Sequence, residues 1–211
     1  THTDSVVSDE ETPLTAIKNS KNTSMWNCIK SQLDGNSNIS LSAGNTGVLL
    51  VVSRMILKMM NKVSKPALAG FWPNKNGVNV VLDLGANIDC DEKNLVDFAE
   101  LGAALHKSLF PNDISKVSLL NIGSEEIKGT EILKDALTSN FFTKISLLFS
   151  YFALKKFKKK LDPRKYNGAI FLGLNGPVVK SHGGTDGVGF YYSIDLCYKI
   201  VKGNLMKQIR N

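Results

Sequence analysis

Apolar and polar positions alternate between two periods along this chain, and the switches predict an α/β order of elements. The first patterned stretch is Met25-Trp-Asn-Cys-Ile-Lys-Ser-Gln-Leu33, apolar at 25, 26, 29 and 33, which predicts a helix capped by Ser24 and ended by Gly35. Residues 1–23 are polar, with Pro13 early and no helical or strand period. Ile39-Ser-Leu-Ser42 predicts a short strand that runs through a Gly-rich turn to 47 and into an apolar helix from Val48 to about Met60. Lys65–Trp72 predicts a strand ending at Pro73, Asn74–Gly77 a turn that suits a hairpin, and Val78–Leu84 a buried strand. Asp91 is a suitable N-cap for a helix over Glu92–Leu109. Val117–Ile122 predicts the next strand, its exit 123–129 leading to a helix over Thr130–Thr138.

The strongest contrast lies near the end. Ala169-Ile-Phe-Leu172 is an apolar run, and Phe190–Val201 has helical spacing. Between them 173–187 is rich in Gly and holds Asn175, Lys180, Ser181, His182 and Asp186. Glycine lets a backbone approach a ligand closely, and the amides opening the next helix favour an anion there. The alternation of strands and helices predicts a mostly parallel sheet covered on both faces. Ligands of such sheets bind at the carboxyl ends of the strands, where loops 42–47, 83–91, 121–129 and 173–187 would converge.

The pattern breaks at 138–141, where a helical segment meets another with no strand between them. The break reads as a point where residues are missing. After it, Phe142, Ile145, Phe149 and Phe152 fall at helical spacing, and Lys155, Lys156, Lys158, Lys159 and Lys160 follow. A basic, aromatic-rich segment over 141–161 is either a core helix with a solvated Lys tail or a peripheral membrane anchor.

Composition narrows the partners. With 211 residues the chain has room for a substantial core, and its formal net charge of +7 favours an anionic partner. Cys28, Cys90 and Cys197 are odd in number and far apart, which is neither a zinc pattern nor a disulfide framework and suits a reducing cytosol. No run is long and apolar enough to span a bilayer, and no signal peptide is visible at the start, which lacks Met and reads as trimmed.

Five stretches then become specific as a set: Ser42-Ala-Gly-Asn-Thr-Gly47, Leu82-Asp-Leu-Gly-Ala-Asn-Ile-Asp-Cys90, Leu119-Leu-Asn-Ile-Gly-Ser-Glu-Glu-Ile-Lys-Gly129, Tyr166-Asn-Gly-Ala169 and Leu172–Gly183. In this order and spacing they resemble the bacterial phosphate acyltransferases (PlsX), over nearly the whole chain. The resemblance implies a single α/β domain over 1–211, a three-layer α/β/α sandwich similar to phosphotransacetylase and the isocitrate/isopropylmalate dehydrogenases. It implies transfer of a fatty acyl group from acyl carrier protein to inorganic phosphate, the acyl phosphate feeding glycerol-3-phosphate acylation by a membrane enzyme. It implies a homodimer, cytoplasmic and peripherally bound to an anionic membrane, with no metal and no cofactor. Two family features are absent: an amino-terminal strand, and a segment just before the amphipathic stretch. Both read as missing residues, the second explaining the break at 140–141.

For that reaction the residues suggest roles. The turn with Ser42, Gly44, Asn45, Thr46 and Gly47 is the candidate phosphate cradle, and Lys128 and Lys180 are candidate counter-charges. His182 can polarise the carbonyl or protonate the thiolate, Ser181 can help bind the oxyanion (it sits where the similar phosphotransacetylases place a Ser), and Asp186 can orient the Lys or the His. Asn121 and Asn175 are expected in the cleft. Asp83 and Asn87 either contact substrate or shape their loop, and Lys128 is alternatively a surface ion-pair partner. A dehydrogenase lacks its Gly-x-Gly-x-x-Gly signature here. A non-catalytic basic protein for membrane or nucleic acid rests on 141–160 alone, and no nucleic acid is expected.

Overall fold

The computed structural model describes residues 2–8, 10, 12–74, 77–119 and 162–210. The chain divides into two compact units, 1–117 with 163–211, and 118–162, and every described helix and strand lies in the first.

Among the described residues the order is α1 (Pro13–Asn19), α2 (Ser24–Leu33), β1 (Ser40–Ser42), α3 (Thr46–Leu57), β2 (Ala67–Pro73), β3 (Val78–Val81), α4 (Glu92–Leu109), a 3-10 turn (Pro163–Tyr166), β4 (Ala169–Leu172), β5 (Val178–Lys180), α5 (Gly187–Lys202) and α6 (Leu205–Arg210). The strands form one sheet in the order β1-β5-β4-β2-β3.

Helices cover both faces of this sheet. The alternation of side chains along a strand decides which face each residue serves. On β4, Phe171 joins Met25, Ile29, Val48, Leu49, Val52 and Leu57 of α2 and α3. Its neighbours Ile170 and Leu172 join Leu101, Leu105, Leu196, Ile200 and Leu205 of α4, α5 and α6. On β5, Val178 and Val179 divide in the same way. Each such buried side chain contributes about 1.5–3 kcal/mol relative to exposure. The α/β layering read from the sequence is therefore present, with the core split by the sheet.

The strand pairing differs from the expectation of a mostly parallel sheet. β1 and β5 pair in parallel, whereas β2–β3, β2–β4 and β4–β5 are antiparallel. The physical reason is connection length. Only 173–177 joins β4 to β5, too few residues for a parallel crossover, which needs a dozen or more. The sequence reading treated 173–187 as a single loop. Val178-Val-Lys180 is instead an internal strand, registered Ser40↔Val178 and Ser42↔Lys180 against β1. Gly173 turns the chain with a φ of 87°, and a Cβ there would lie 2.9 Å from Val63 Cγ1.

Helix ends followed local chemistry closely. The α4 boundaries are those predicted, and Asp91 and Asn94 form a reciprocal capping box. The α2 cap is one residue earlier than expected: Thr23 Oγ1 accepts from the Trp26 amide, and Ser24 is the first helical residue. Pro13–Asn19 forms a short helix in a segment that showed no period. The hairpin at 74–77 is present, closed by the Asn74 amide donating to the Gly77 carbonyl at 2.9 Å. The predicted strand over 117–122 is not found in its described part, 117–119. The helix expected over 130–138, the break at 140–141 and the amphipathic stretch 141–161 lie outside the described residues.

Candidate active site

Parallel pairing of β1 with β5 brings their two exits side by side. The Ser181 amide donates to the Ser42 carbonyl at 2.9 Å, and Lys180 Nζ donates to the Ala43 carbonyl at 3.3 Å and to the Ser181 carbonyl. The turn 42–47 and the loop 181–186 are thus joined by backbone and by one lysine. An open cleft of about 700 Å³ lies beside them, lined by Thr46, Leu68, Phe71, Leu84, Arg164, Tyr166, Asn167, Lys180, His182, Thr185 and Asp186 among others. Its wall is mixed in character. Leu68, Phe71 and Leu84 are apolar, while Arg164, Lys180 and His182 bring cationic or proton-bearing groups.

His182 is exposed, and its ring is held by its own loop. Nδ1 accepts the Gly184 amide at 3.1 Å, which places the proton of the neutral ring on Nε2 as a donor. The His182 backbone amide donates to Asn167 Oδ1 at 3.1 Å. Ser181, adjacent in sequence, is fully buried; its Oγ lies 3.0 Å from Asn167 Nδ2 and 3.1 Å from Ser193 Oγ. Ser181 and His182 consequently have opposite situations, one inside the packing and the other on the cleft.

Asp186 caps α5, accepting the Gly189 amide at 2.9 Å on Oδ1, and pairs through Oδ2 with Arg164 Nη1 at 3.0 Å. The hydrogen bond donated by the Gly189 amide first, and then the Arg164 hydrogen bond, hold the carboxyl below the ordinary aspartate range. Its bonds therefore run to the helix end and to Arg164, where the sequence suggested Lys or His as partner.

The cradle residues divide between two sides. Thr46, in the first turn of α3, lines the cleft. Asn45 caps that helix, its Oδ1 accepting the Val48 amide at 3.1 Å. Ser42 and Gly44 line a smaller pocket of about 270 Å³ with Val6, Val7, Met25 and Cys28, and the Gly44 amide donates to Ser42 Oγ at 3.2 Å. Gly47 faces Pro13: a Cβ there would stand 3.0 Å from its Cγ.

Three further candidates serve the backbone. Asp83 accepts the amides of Leu68, Ala86 and Asn87, at 2.8, 3.3 and 2.9 Å. The Asn87 side chain donates to the Pro66 carbonyl at 2.7 Å. Asn175 Nδ2 donates to the carbonyls of Leu57 and Met59 at 3.1 and 2.9 Å, tying the β4–β5 link to the end of α3. None of the three is among the residues that line the cleft. Asn121, Lys128, Phe142, Ile145, Phe149, Phe152 and the lysines 155, 156 and 158–160 lie outside the described residues.

Known proteins match the chain across its whole length. The family of fatty acid synthesis proteins matches residues 1–139 and 130–208. The chain belongs to that family. A phosphate acyltransferase of Pelagibacter ubique is 44% identical over 269 aligned positions, covering 100% of this chain and 81% of the relative. Phosphate acyltransferases of Agrobacterium fabrum and Parvibaculum lavamentivorans are 34% and 36% identical, covering 97% and 99% of this chain and 75% and 74% of their own lengths. An alignment of 269 positions against 211 residues means that the first relative carries residues with no counterpart in this chain.

Sequence reasoning missed Arg164, Asn167 and Thr185 as cleft residues. Tyr166-Asn-Gly-Ala169 was visible as a motif, but nothing in its residue types assigned Asn167 a partner. Thr185 lay inside the stretch 173–187, next to Asp186, and drew no attention beside the titratable residues. Arg164 follows the break in pattern, where no period guided the reading.

Proposed function

We propose that this chain transfers a long-chain fatty acyl group from acyl carrier protein to inorganic phosphate, releasing acyl phosphate for glycerol-3-phosphate acylation. The observation that carries the reading is whole-chain similarity to phosphate acyltransferases, and the cationic cleft beside 181–186 supports it.

In the step itself a phosphate oxygen attacks the thioester carbonyl. A carbon–oxygen bond forms, the carbonyl pair moves to oxygen, and collapse of that oxyanion breaks the carbon–sulfur bond. The thiolate leaves with its electron pair and takes up a proton. Arg164 and Lys180, both lining the cleft, supply positive charge for the phosphate, Arg164 through its planar fork. Thr46 adds a hydroxyl at the mouth of α3, beside first-turn amides that lack an i−4 carbonyl. His182, carrying its proton on Nε2, donates a hydrogen bond to the oxyanion, and the leaving thiolate takes its proton from solvent. Ser181 acts from behind the loop, and Asp186 holds Arg164. Leu68, Phe71 and Leu84 offer an apolar wall for the start of the acyl chain.

Charge and amphipathicity extend the proposal to partners. An acidic carrier protein suits a chain of net charge +7. The basic aromatic stretch 141–161 would hold the enzyme at the inner face of an anionic membrane, near the acyltransferase that consumes its product. No helix among the described residues is long and apolar enough to cross a membrane. A homodimer and a cytoplasmic location complete the proposal.

The test incubates the full chain with long-chain acyl carrier protein, with and without phosphate, and measures free carrier and acyl phosphate. Phosphate-dependent release is expected, falling about 10²–10³-fold in His182→Ala, the cost of losing one oxyanion donor. Lys180→Ala should raise the phosphate KM. Release that is independent of phosphate would overturn the proposal.

A further inference from the structure

Asn167 lies between the 3-10 turn and β4, yet its side chain reaches four groups of the segment 181–189. Oδ1 accepts the His182 amide at 3.1 Å, while Nδ2 lies 3.0 Å from Ser181 Oγ, 3.2 Å from Thr185 Oγ1 and 2.9 Å from the Gly189 carbonyl. An amide nitrogen carries two hydrogens, so three acceptors share them, and the two hydroxyls must orient to suit. Ser193 Oγ extends the network, 3.1 Å from Ser181 Oγ. Ser181 and Ser193 are fully buried, and an apolar residue at 167 would strip a partner from Ser181 Oγ. The fit is close: a Cβ on Gly189 would lie 3.4 Å from Asn167 Nδ2.

Carboxamide chemistry suits this place better than its isosteres. Aspartate would keep the acceptor for the His182 amide but set a carboxylate oxygen against the Gly189 carbonyl. Leucine would lose both functions. The amide of His182 itself is held, so a shift at 167 passes through one backbone link to the imidazole, while the Gly189 bond fixes the first turn of α5 and with it Asp186. We propose that Asn167 is a positioning residue for acyl transfer: it sets the His182 loop and the start of α5 in the geometry from which the imidazole acts. This rests on the acyl-transfer reading above.

The experiment is a kinetic double-mutant cycle on the full chain with acyl carrier protein thioester and phosphate. Asn167→Ala should lower kcat about 10–100-fold, the scale of a small misplacement of a reacting group, and leave the phosphate KM within about threefold. In a His182→Ala background the same substitution should cost almost nothing further, because the effect travels through the imidazole. Amide exchange of the 181–186 segment should quicken in Asn167→Ala. An equal loss of kcat in both backgrounds overturns the assignment. So does unchanged kcat in Asn167→Ala. If the parent protein shows no phosphate-dependent turnover, the reaction itself is refuted and the positioning role goes with it; turnover in the parent with additive variants refutes the positioning role alone.

Discussion

Of the glycines at the candidate site, Gly189 has the least room for a side chain, because Thr185 stands against it, and this can be tested without any substrate. An ideal Cβ on Gly189 would fall 2.0 Å from Thr185 Oγ1 and 3.4 Å from Thr185 Cβ. Gly189→Ala therefore forces Thr185 to rotate its hydroxyl away. That rotation surrenders the 3.2 Å contact with Asn167 Nδ2, worth about 0.5–1.5 kcal/mol, and adds overpacking of about 1–3 kcal/mol if the loop must also move. Against this stands the gain of Ala over Gly within a helix, at most about 1 kcal/mol and less in the first turn. The sum predicts net destabilisation of about 0.5–4.5 kcal/mol, or roughly 1–18 °C in Tm for a chain of this size. Thr185→Ala removes the obstructing oxygen. In that background Gly189→Ala should be neutral or slightly stabilising, giving a coupling energy of about 1.5–4.5 kcal/mol, the hydrogen-bond and overpacking costs together. Urea denaturation of the four proteins, with m-values compared, measures it. Equal costs of Gly189→Ala in both backgrounds would refute the contact.

Leu105 is fully buried between α4 and the sheet, so Leu105→Ala should cost about 2–5 kcal/mol by urea denaturation. Asp186 has a folded pKa below its unfolded value, so its stabilisation is present above the unfolded pKa and fades as pH falls through the folded one; Asp186→Asn should flatten the acid limb of a Tm-against-pH curve and lower Tm at neutral pH. An acid limb unchanged by that substitution would contradict the capping geometry. Burial lifts the Cys197 thiol from 9.0 to about 11, whereas Cys90 is exposed. A thiol reagent at pH 8 should therefore modify Cys90 promptly and Cys197 only on unfolding. The same shift means that stability contributed by Cys197 is intact below pH 9 and declines as pH rises toward 11, a decline that Cys197→Ser should remove.

Local chemistry was legible wherever one short stretch decided the outcome. Asp91 announced the start of α4 because an N-cap acts only on the turn that follows it, and the structure adds Asn94 to complete a capping box. Ala169-Ile-Phe-Leu172 announced a strand buried on both faces because it is apolar at every position. The five motifs, taken together, located the family. Partners at a distance were not legible. Nothing in the composition of 173–187 shows that Val178-Val-Lys180 pairs with Ser40-Leu-Ser42, a link made across more than a hundred residues. That pairing sets Lys180 against the carbonyl of Ala43 and buries Ser181 while leaving His182 exposed. Asp83, Asn87 and Asn175 have the residue types of ligand contacts, and their carboxylate and amides are taken up by backbone groups. Asn167 is the reverse case, a plain residue in sequence whose four partners exist only once β4 and β5 are paired. Element types, helix ends, the family and the segment that carries the chemistry depend on neighbours along the chain, so they can be read in one dimension. Which polar groups spend their hydrogen bonds on the backbone, and which remain on the cleft, depends on what the sheet brings across from elsewhere, and folding alone settles it.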